Sequence, residues 1–172
     1  NPALTIIYED RRGEQPEQIV YHEKEGIQGF VKDINKNSEV LHDVIYFKGE
    51  AEGITVEAAF QYTNEFHENI LGFCNNIFNA EGGTHITGFK TVFTTVINSY
   101  ARELGILKEK DANFTGADVR NGLTAVISIK HPDPRFEGQT KTKLDNQDAS
   151  RVTAKVTGDE IQLYFDKNLR SE

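Results

Sequence analysis

The stretch Phe136-Glu137-Gly138-Gln139-Thr140-Lys141-Thr142-Lys143 carries the residue types best suited to chemistry in this sequence. Lys141 and Lys143 lie two positions apart, so in an extended segment both side chains leave from one side. Gly138 lets backbone approach a ligand closely, and Gln139 can donate through its amide. A lysine ammonium held near a γ-phosphate stabilises transferring charge, and it registers whether that phosphate is present. Residue type alone favours a solvated basic loop. The local charge adds weight: residues 130–143 hold Lys130, Arg135, Lys141 and Lys143 against Asp133 and Glu137, inside a chain of net charge −8.

The elements that must position this loop can be read from periodicity. Residues 123–129 form a nearly continuous apolar run rich in β-branched side chains, the pattern of a central strand buried on both faces. Two prolines, Pro132 and Pro134, then bar a helix. From Asp148 onward, Val152, Val156 and Leu163 fall at helical spacing, and Gly158 weakens that pattern. The loop is thus expected between a central strand and the last helix. Upstream, Phe89, Phe93, Val96, Ile97, Tyr100 and Leu104 make the apolar stripe of the longest expected helix, with Thr84 as its N-cap and Gly105 at its stop. Thr115-Gly116-Ala117-Asp118 has capping-box spacing.

Earlier in the chain, Ile27, Phe30, Val31 and Ile34 predict an amphipathic helix ending near residues 35–38. Residues 4–8 and 18–22 read as short strands. Residues 44–47 and the alternating set Ile54, Val56, Ala58, Phe60, Tyr62 predict a hairpin whose turn, residues 49–53, exceeds the two-residue minimum. A third strand is expected over 68–75. The sum is one α+β domain over residues 1–172, a mixed sheet covered by helices on one face.

Composition excludes several functions. No apolar run approaches the roughly 18 residues of a membrane span, and no secretory leader is visible, so a cytoplasmic location without membrane attachment is expected. The acidic balance disfavours a dedicated nucleic-acid binder. Cys74, the only cysteine, lies in an apolar stretch and reads as a buried small hydrophobe, with no disulfide framework. His22, His42, His67, His85 and His131 lack metal-ligand spacing, so no metal site is expected. Beginning without Met inside a strand-like pattern, the chain reads as a segment of a longer protein.

Several further motifs occur in order with the lysine loop: Ile45-Tyr46-Phe47, Phe73-Cys74-Asn75-Asn76-Ile77, Glu81-Gly82-Gly83-Thr84-His85, Gly88-Phe89-Lys90, Asp118-Val119-Arg120-Asn121-Gly122-Leu123 and, closing the loop, Leu144. Together they resemble the B subunit of DNA gyrase and its relatives among type IIA topoisomerases, over nearly the whole chain. The stretch looks like the transducer domain, between an amino-terminal ATPase domain and a cleavage core. The resemblance implies a ribosomal-protein-S5-like fold with a left-handed βαβ crossover. It implies that Gln139 and Lys141 reach the γ-phosphate of ATP bound in the neighbouring domain, and it assigns no such role to Lys143. Lys90 stands where relatives often have arginine facing the cavity for DNA. A lysine there keeps the charge but cannot grip a phosphate through two parallel hydrogen bonds.

The same resemblance implies ATP and Mg2+ in the full-length subunit, a gyrase A partner, DNA, and dimerisation of the subunit on ATP binding. No catalytic residue is expected in this stretch: no Asp-x-Gly-x-Gly motif is present, and Gly26-Ile27-Gln28-Gly29 reads as helix packing. Alone, it is expected to be inactive. Alternative readings are the equivalent domain of topoisomerase IV, that of a mismatch-repair or chaperone ATPase, and a stand-alone nucleic-acid-binding module on an S5-like fold. The sequence departs from the family at Thr157-Gly158-Asp159, where the last helix is expected to be least continuous.

Overall fold

The computed structural model describes residues 26–136 and 143–168 of the chain. The expected strands over 4–8 and 18–22 lie outside those residues. Helix α1 (Gly26–Ile34) is followed by strands β1 (Ile45–Ala51), β2 (Ile54–Tyr62), β3 (Asn69–Cys74) and β4 (Ile77–Asn79). Helix α2 (Thr84–Glu103), the short helix α3 (Gly116–Arg120), strand β5 (Leu123–Lys130) and helix α4 (Gln147–Asn168) complete the order. The strands form one sheet in the order β1-β2-β5-β3-β4, antiparallel throughout except that β3 and β5 run parallel. The expected mixed sheet of an α+β fold is therefore present, and among the described residues no helix is long and apolar enough to cross a membrane.

Strand β5 is central, and Leu123 through Ile129 are all buried. Its alternate side chains separate two cores. Leu123, Ala125, Ile127 and Ile129 pack with Phe60, Phe89, Phe93, Val152 and Val156 under α2 and α4. Val126 faces the other way and meets Ile27, Phe30 and Val31 of α1, together with Ala59 and Phe73. The two long helices cover one face, as expected, and α1 adds a partial layer on the other. A strict one-face description therefore needs that correction. The physical reason lies in the strand pattern: a strand buried at every position from Leu123 to Ile129 must be covered twice. On this second face Thr124 donates to Asn35 at 2.8 Å, and Asn35 donates to Gln61 at 2.9 Å, so the polar groups buried beside α1 are partnered.

Other expectations change in detail. The β1–β2 turn is the two-residue minimum, Glu52-Gly53, both with positive φ (53° and 78°), and Ala51 pairs with Ile54. Gly49 belongs to β1 because α4 crosses it: a Cβ there would lie 2.9 Å from Val156 Cγ1. The short edge strand β4 was not foreseen. It follows a second tight turn at Asn75-Asn76, with φ of 52° and 69°, which asparagine tolerates better than most residues.

Helix α2 begins at Thr84 with Gly83 as its N-cap, one residue earlier than expected for the cap, and no side chain caps it. It ends as foreseen at Gly105 (φ 82°), where Ile106 N–H returns to the Ala101 carbonyl and Gly105 N–H to that of Arg102. The capping box of Thr115 and Asp118 is formed in both directions. Helix α4 spans 22 residues against 20 for α2, so it is the longer of the two, and it is unbroken through Thr157-Gly158-Asp159. Packing explains the glycine: a Cβ at Gly158 would meet Val92 of α2 at 3.2 Å.

Candidate functional site

Residues 131–135 leave β5 with prolines at alternate positions, so only His131, Asp133 and Arg135 carry backbone N–H groups. Each of the three is accepted by a side chain. Asn75 Oδ1 takes the N–H of His131 at 2.8 Å, and Asn75 Nδ2 donates back to the His131 carbonyl at 3.0 Å. His131 Nδ1 takes the N–H of Asp133 at 2.9 Å. Asn146 Oδ1 takes the N–H of Arg135 at 2.6 Å, and its Nδ2 donates to the Asp133 carbonyl at 3.1 Å.

These hydrogen bonds assign the tautomer of His131. Its Nδ1 accepts from an N–H, so the ring proton sits on Nε2 and points to Asp148 Oδ1 at 2.9 Å, in the first turn of α4. The hydrogen bond from His131 holds the Asp148 carboxyl below the usual carboxylate range, aided by Asn146 and the backbone of Ala149. His131 and Asn146 are themselves buried. A polar clamp therefore joins the β3–β4 turn, the end of β5 and the start of α4.

Beyond the clamp the chain narrows to a neck. Asp145 N–H donates to the Arg135 carbonyl at 2.8 Å, and Phe136 bridges Leu144 in antiparallel fashion. Leu144, fully buried, also bridges Gly83: its N–H donates to the Gly82 carbonyl and its carbonyl accepts from Thr84 N–H, each at 3.0 Å. Gly83 has φ of 147°, and a Cβ on it would lie 2.5 Å from the Leu144 carbonyl oxygen, so glycine is required there. The Gly82-Gly83-Thr84 motif and the lysine stretch, far apart in sequence, thus share one junction. Gln139 and Lys141, the residues singled out for a γ-phosphate, lie outside the described residues. Lys143, at the near edge of the neck, is exposed.

The remaining sequence candidates sit elsewhere. Lys90, on α2, places its ammonium 3.3 Å from Glu68, which Arg120 also binds at 3.0 Å. Partial burial raises the Glu68 carboxyl, but the hydrogen bond and charge of Arg120, with those of Lys90, outweigh it and leave it below its ordinary value. Lys90 is thus tied to a carboxylate and is not part of the neck. Burial pushes the Cys74 thiol up to about 12, which makes it unreactive. His85 is wholly buried with Nε2 at 3.1 Å from Asn79 Oδ1, and burial pulls it down to about 3. Among the described residues no group of three or more His, Cys, Asp or Glu could hold a metal ion.

Asn146 and Asp148 were not identified from sequence as parts of a site, and Asn75 appeared only within a motif that accompanies the lysine loop. The available signal was the alternation of prolines, which leaves N–H groups in need of side-chain acceptors nearby. Which residues would supply them depends on the parallel pairing of β3 with β5, a long-range fact.

Comparison with known proteins bears on what this arrangement serves. The family model described as DNA gyrase B matches residues 26–171. The DNA gyrase B subunit of Enterococcus faecalis is 51% identical over 170 residues, covering 98% of this chain and 26% of the relative. The B subunit of DNA topoisomerase 4 from Staphylococcus aureus is 46% identical over 166 residues, covering 95% of this chain and 25% of the relative. The chain therefore spans about a quarter of the length of the curated relatives it matches. Among solved structures, the 43K ATPase domain of Thermus thermophilus gyrase B superposes with a TM-score of 0.79 at 33% identity, over 86% of this chain and 40% of that one. The topoisomerase IV ATP-binding domain of Francisella tularensis gives 0.69 at 25% identity, over 87% and 40%. With matching motifs, matching fold and a family model that runs through both core layers and the neck, this chain belongs to the DNA gyrase B family.

Proposed function

We propose that residues 1–172 are the transducer domain of a gyrase-type B subunit, which couples ATP binding and hydrolysis in the neighbouring domain to DNA strand passage and supercoiling. The observation that carries this reading is the neck. A lysine-bearing stretch is held at both ends, to α2 through Gly83 and to α4 through Asp148, so a pull on the stretch acts on both long helices. Gln139 and Lys141 reach the γ-phosphate of ATP held by that other domain. Lys141 gains there an interaction that ADP cannot offer, and this difference shifts the domain between two positions. When bound, Mg2+ neutralises phosphate charge. The described residues offer no ligand set for it.

Under this reading the domain contributes no catalytic residue, acts in the cytoplasm, and works beside the cleavage core, gyrase A subunit and DNA, in a subunit that dimerises on ATP binding. Lys90 faces the DNA cavity as one cation of the Lys90–Glu68–Arg120 group, so its charge is shared with a carboxylate. The deciding variant is Lys141→Ala in the intact subunit. ATP-dependent supercoiling is expected to fall by at least about 100-fold, the scale seen when a charge-stabilising donor is removed; supercoiling at near wild-type rate would sink the reading. Similar identity to gyrase and topoisomerase IV relatives leaves the kind of enzyme to be separated by reaction. Supercoiling of relaxed circles marks gyrase, and decatenation without supercoiling marks topoisomerase IV.

A further inference from the structure

We infer that the end of the fold opposite the neck is a docking surface for the cleavage core, with Phe66 at its centre; this rests on the functional reading above, which puts that core beside this domain. Strand β5 ends at Lys130, next to the neck, so it begins at Leu123 at the other end of the sheet. Helix α2 likewise starts at the neck, where Thr84 N–H donates to the Leu144 carbonyl, and runs 20 residues, about 30 Å, away from it. Most of the large apolar side chains exposed among the described residues lie towards that far end: Val40, Leu41, Phe66, Leu104, Ile106 and Phe114.

Phe66 is 88% exposed, yet its loop is fixed. Thr63 N–H donates to the Gly122 carbonyl at 2.8 Å, and Gly122 N–H to the His67 carbonyl at 3.0 Å. Glu65 N–H donates to Thr63 Oγ1 at 3.2 Å, and Ser38 Oγ donates to Glu65 at 2.5 Å. Gly122 has φ of 84°, and a Cβ on it would lie 2.7 Å from the Thr63 carbonyl oxygen, so the loop is seated on a glycine. Val40 and Leu41 run alongside, since Val40 bridges Thr63 and Leu41 N–H donates to the Tyr62 carbonyl. A phenylalanine held out in water adds little to its own core, and a braced loop spares a partner the cost of ordering it. Aromatic side chains are what the centres of protein interfaces are enriched in.

The rim decides the kind of partner. Glu39, Asp43 and Glu65 flank the apolar residues. Of the cations nearby, Arg120 and Lys90 are bound to Glu68, and Lys36 lies against Asp33. Such a patch repels phosphate and fits a protein face whose apolar pocket is ringed by lysine or arginine. On the reading above the neck faces the ATPase domain, so the far end faces the cleavage core.

The experiment uses the full-length B subunit assembled with the A subunit, DNA and ATP. Phe66 is replaced by the photo-crosslinking residue p-benzoylphenylalanine, and crosslinked peptides are identified by mass spectrometry. They are expected to fall in the cleavage core of the B subunit, on a segment carrying lysine or arginine. Crosslinks that fall instead in the ATPase domain, the A subunit, a second copy of this domain or DNA overturn the proposal, as does their absence. A second arm weighs the ring itself. With the crosslinker moved to Leu41, Phe66→Ser is expected to lower the yield to the core by about 10-fold or more, and Phe66→Tyr to keep it within about twofold. Equal yields in the two variants overturn the central place of Phe66. Because the ring stands in water, the Tm of Phe66→Ser is expected within about 2 °C of wild type. A larger fall would assign the ring to the fold and overturn the proposal. The functional reading fails by a different result, wild-type supercoiling in Lys141→Ala.

Discussion

His85 sits wholly inside the fold, with Nε2 on Asn79 and no hydrogen-bond partner at Nδ1. A proton added at Nδ1 would bring charge into an apolar pocket, and burial therefore holds the group near 3, against 6.5 in water. Between those values the unfolded chain binds one proton more than the folded chain does at this residue. Stability then falls as pH drops from about 6.5 toward 3, by about 1.4 kcal/mol per unit once well inside that window. His85→Gln keeps a donor toward Asn79 and removes the titration. Urea unfolding from pH 7.5 to pH 5 is expected to show a shallower loss of stability for the variant than for wild type. Parallel slopes would show that His85 takes up its proton in the folded state.

At the scale of elements, α2 and α4 pack through two glycines that differ in what a side chain would strike. A Cβ on Gly88 would lie 2.4 Å from the Ser150 carbonyl oxygen, which belongs to a helix backbone and cannot move alone. Gly88→Ala is expected to destabilise by about 1–3 kcal/mol, overpacking outweighing the helix preference of alanine. On Gly158 the nearest atom is Val92 Cγ2 at 3.2 Å, a partly buried side chain that has to give by only a few tenths of an ångström. Gly158→Ala is expected to lie between neutral and about 1 kcal/mol less stable, the tight contact offsetting the helix preference of alanine. Thermal unfolding of both variants separates the cases, and equal effects would mean that the helices part as readily at either crossing. Gly158 also shows where periodicity misleads. From sequence it counts against the helix, yet it is what lets the helix lie against its neighbour. The same holds for Gly49, which reads as part of a turn and belongs to a strand because Val156 needs the space. Elements whose signal is local were legible, such as β5 from its apolar run and α3 from its capping box. The β4 edge strand and the clamp were not, because Asn75 and Asn146 acquire meaning only once β3 lies beside β5. Gln139 and Lys141 remain as the sequence and its resemblance present them.

The whole molecule carries a net charge of −8, and Lys90 and Arg120 converge on Glu68. An acidic body with its helix cation committed to a carboxylate has little sustained field to offer a polyanion. The isolated chain is therefore expected to bind duplex DNA more weakly than about 10⁻⁴ M at physiological salt, measured by fluorescence anisotropy, and to leave ATP unhydrolysed. Tight, salt-dependent binding would revive the reading as a stand-alone nucleic-acid module. The junction of Phe136, Leu144 and Gly83 has one more consequence, for how such a chain can change over generations. Phe136 pairs with Leu144, and Leu144 with Gly83, so the fold itself tolerates a change in the number of residues between Phe136 and Leu144 at a cost that grows only with the logarithm of that number.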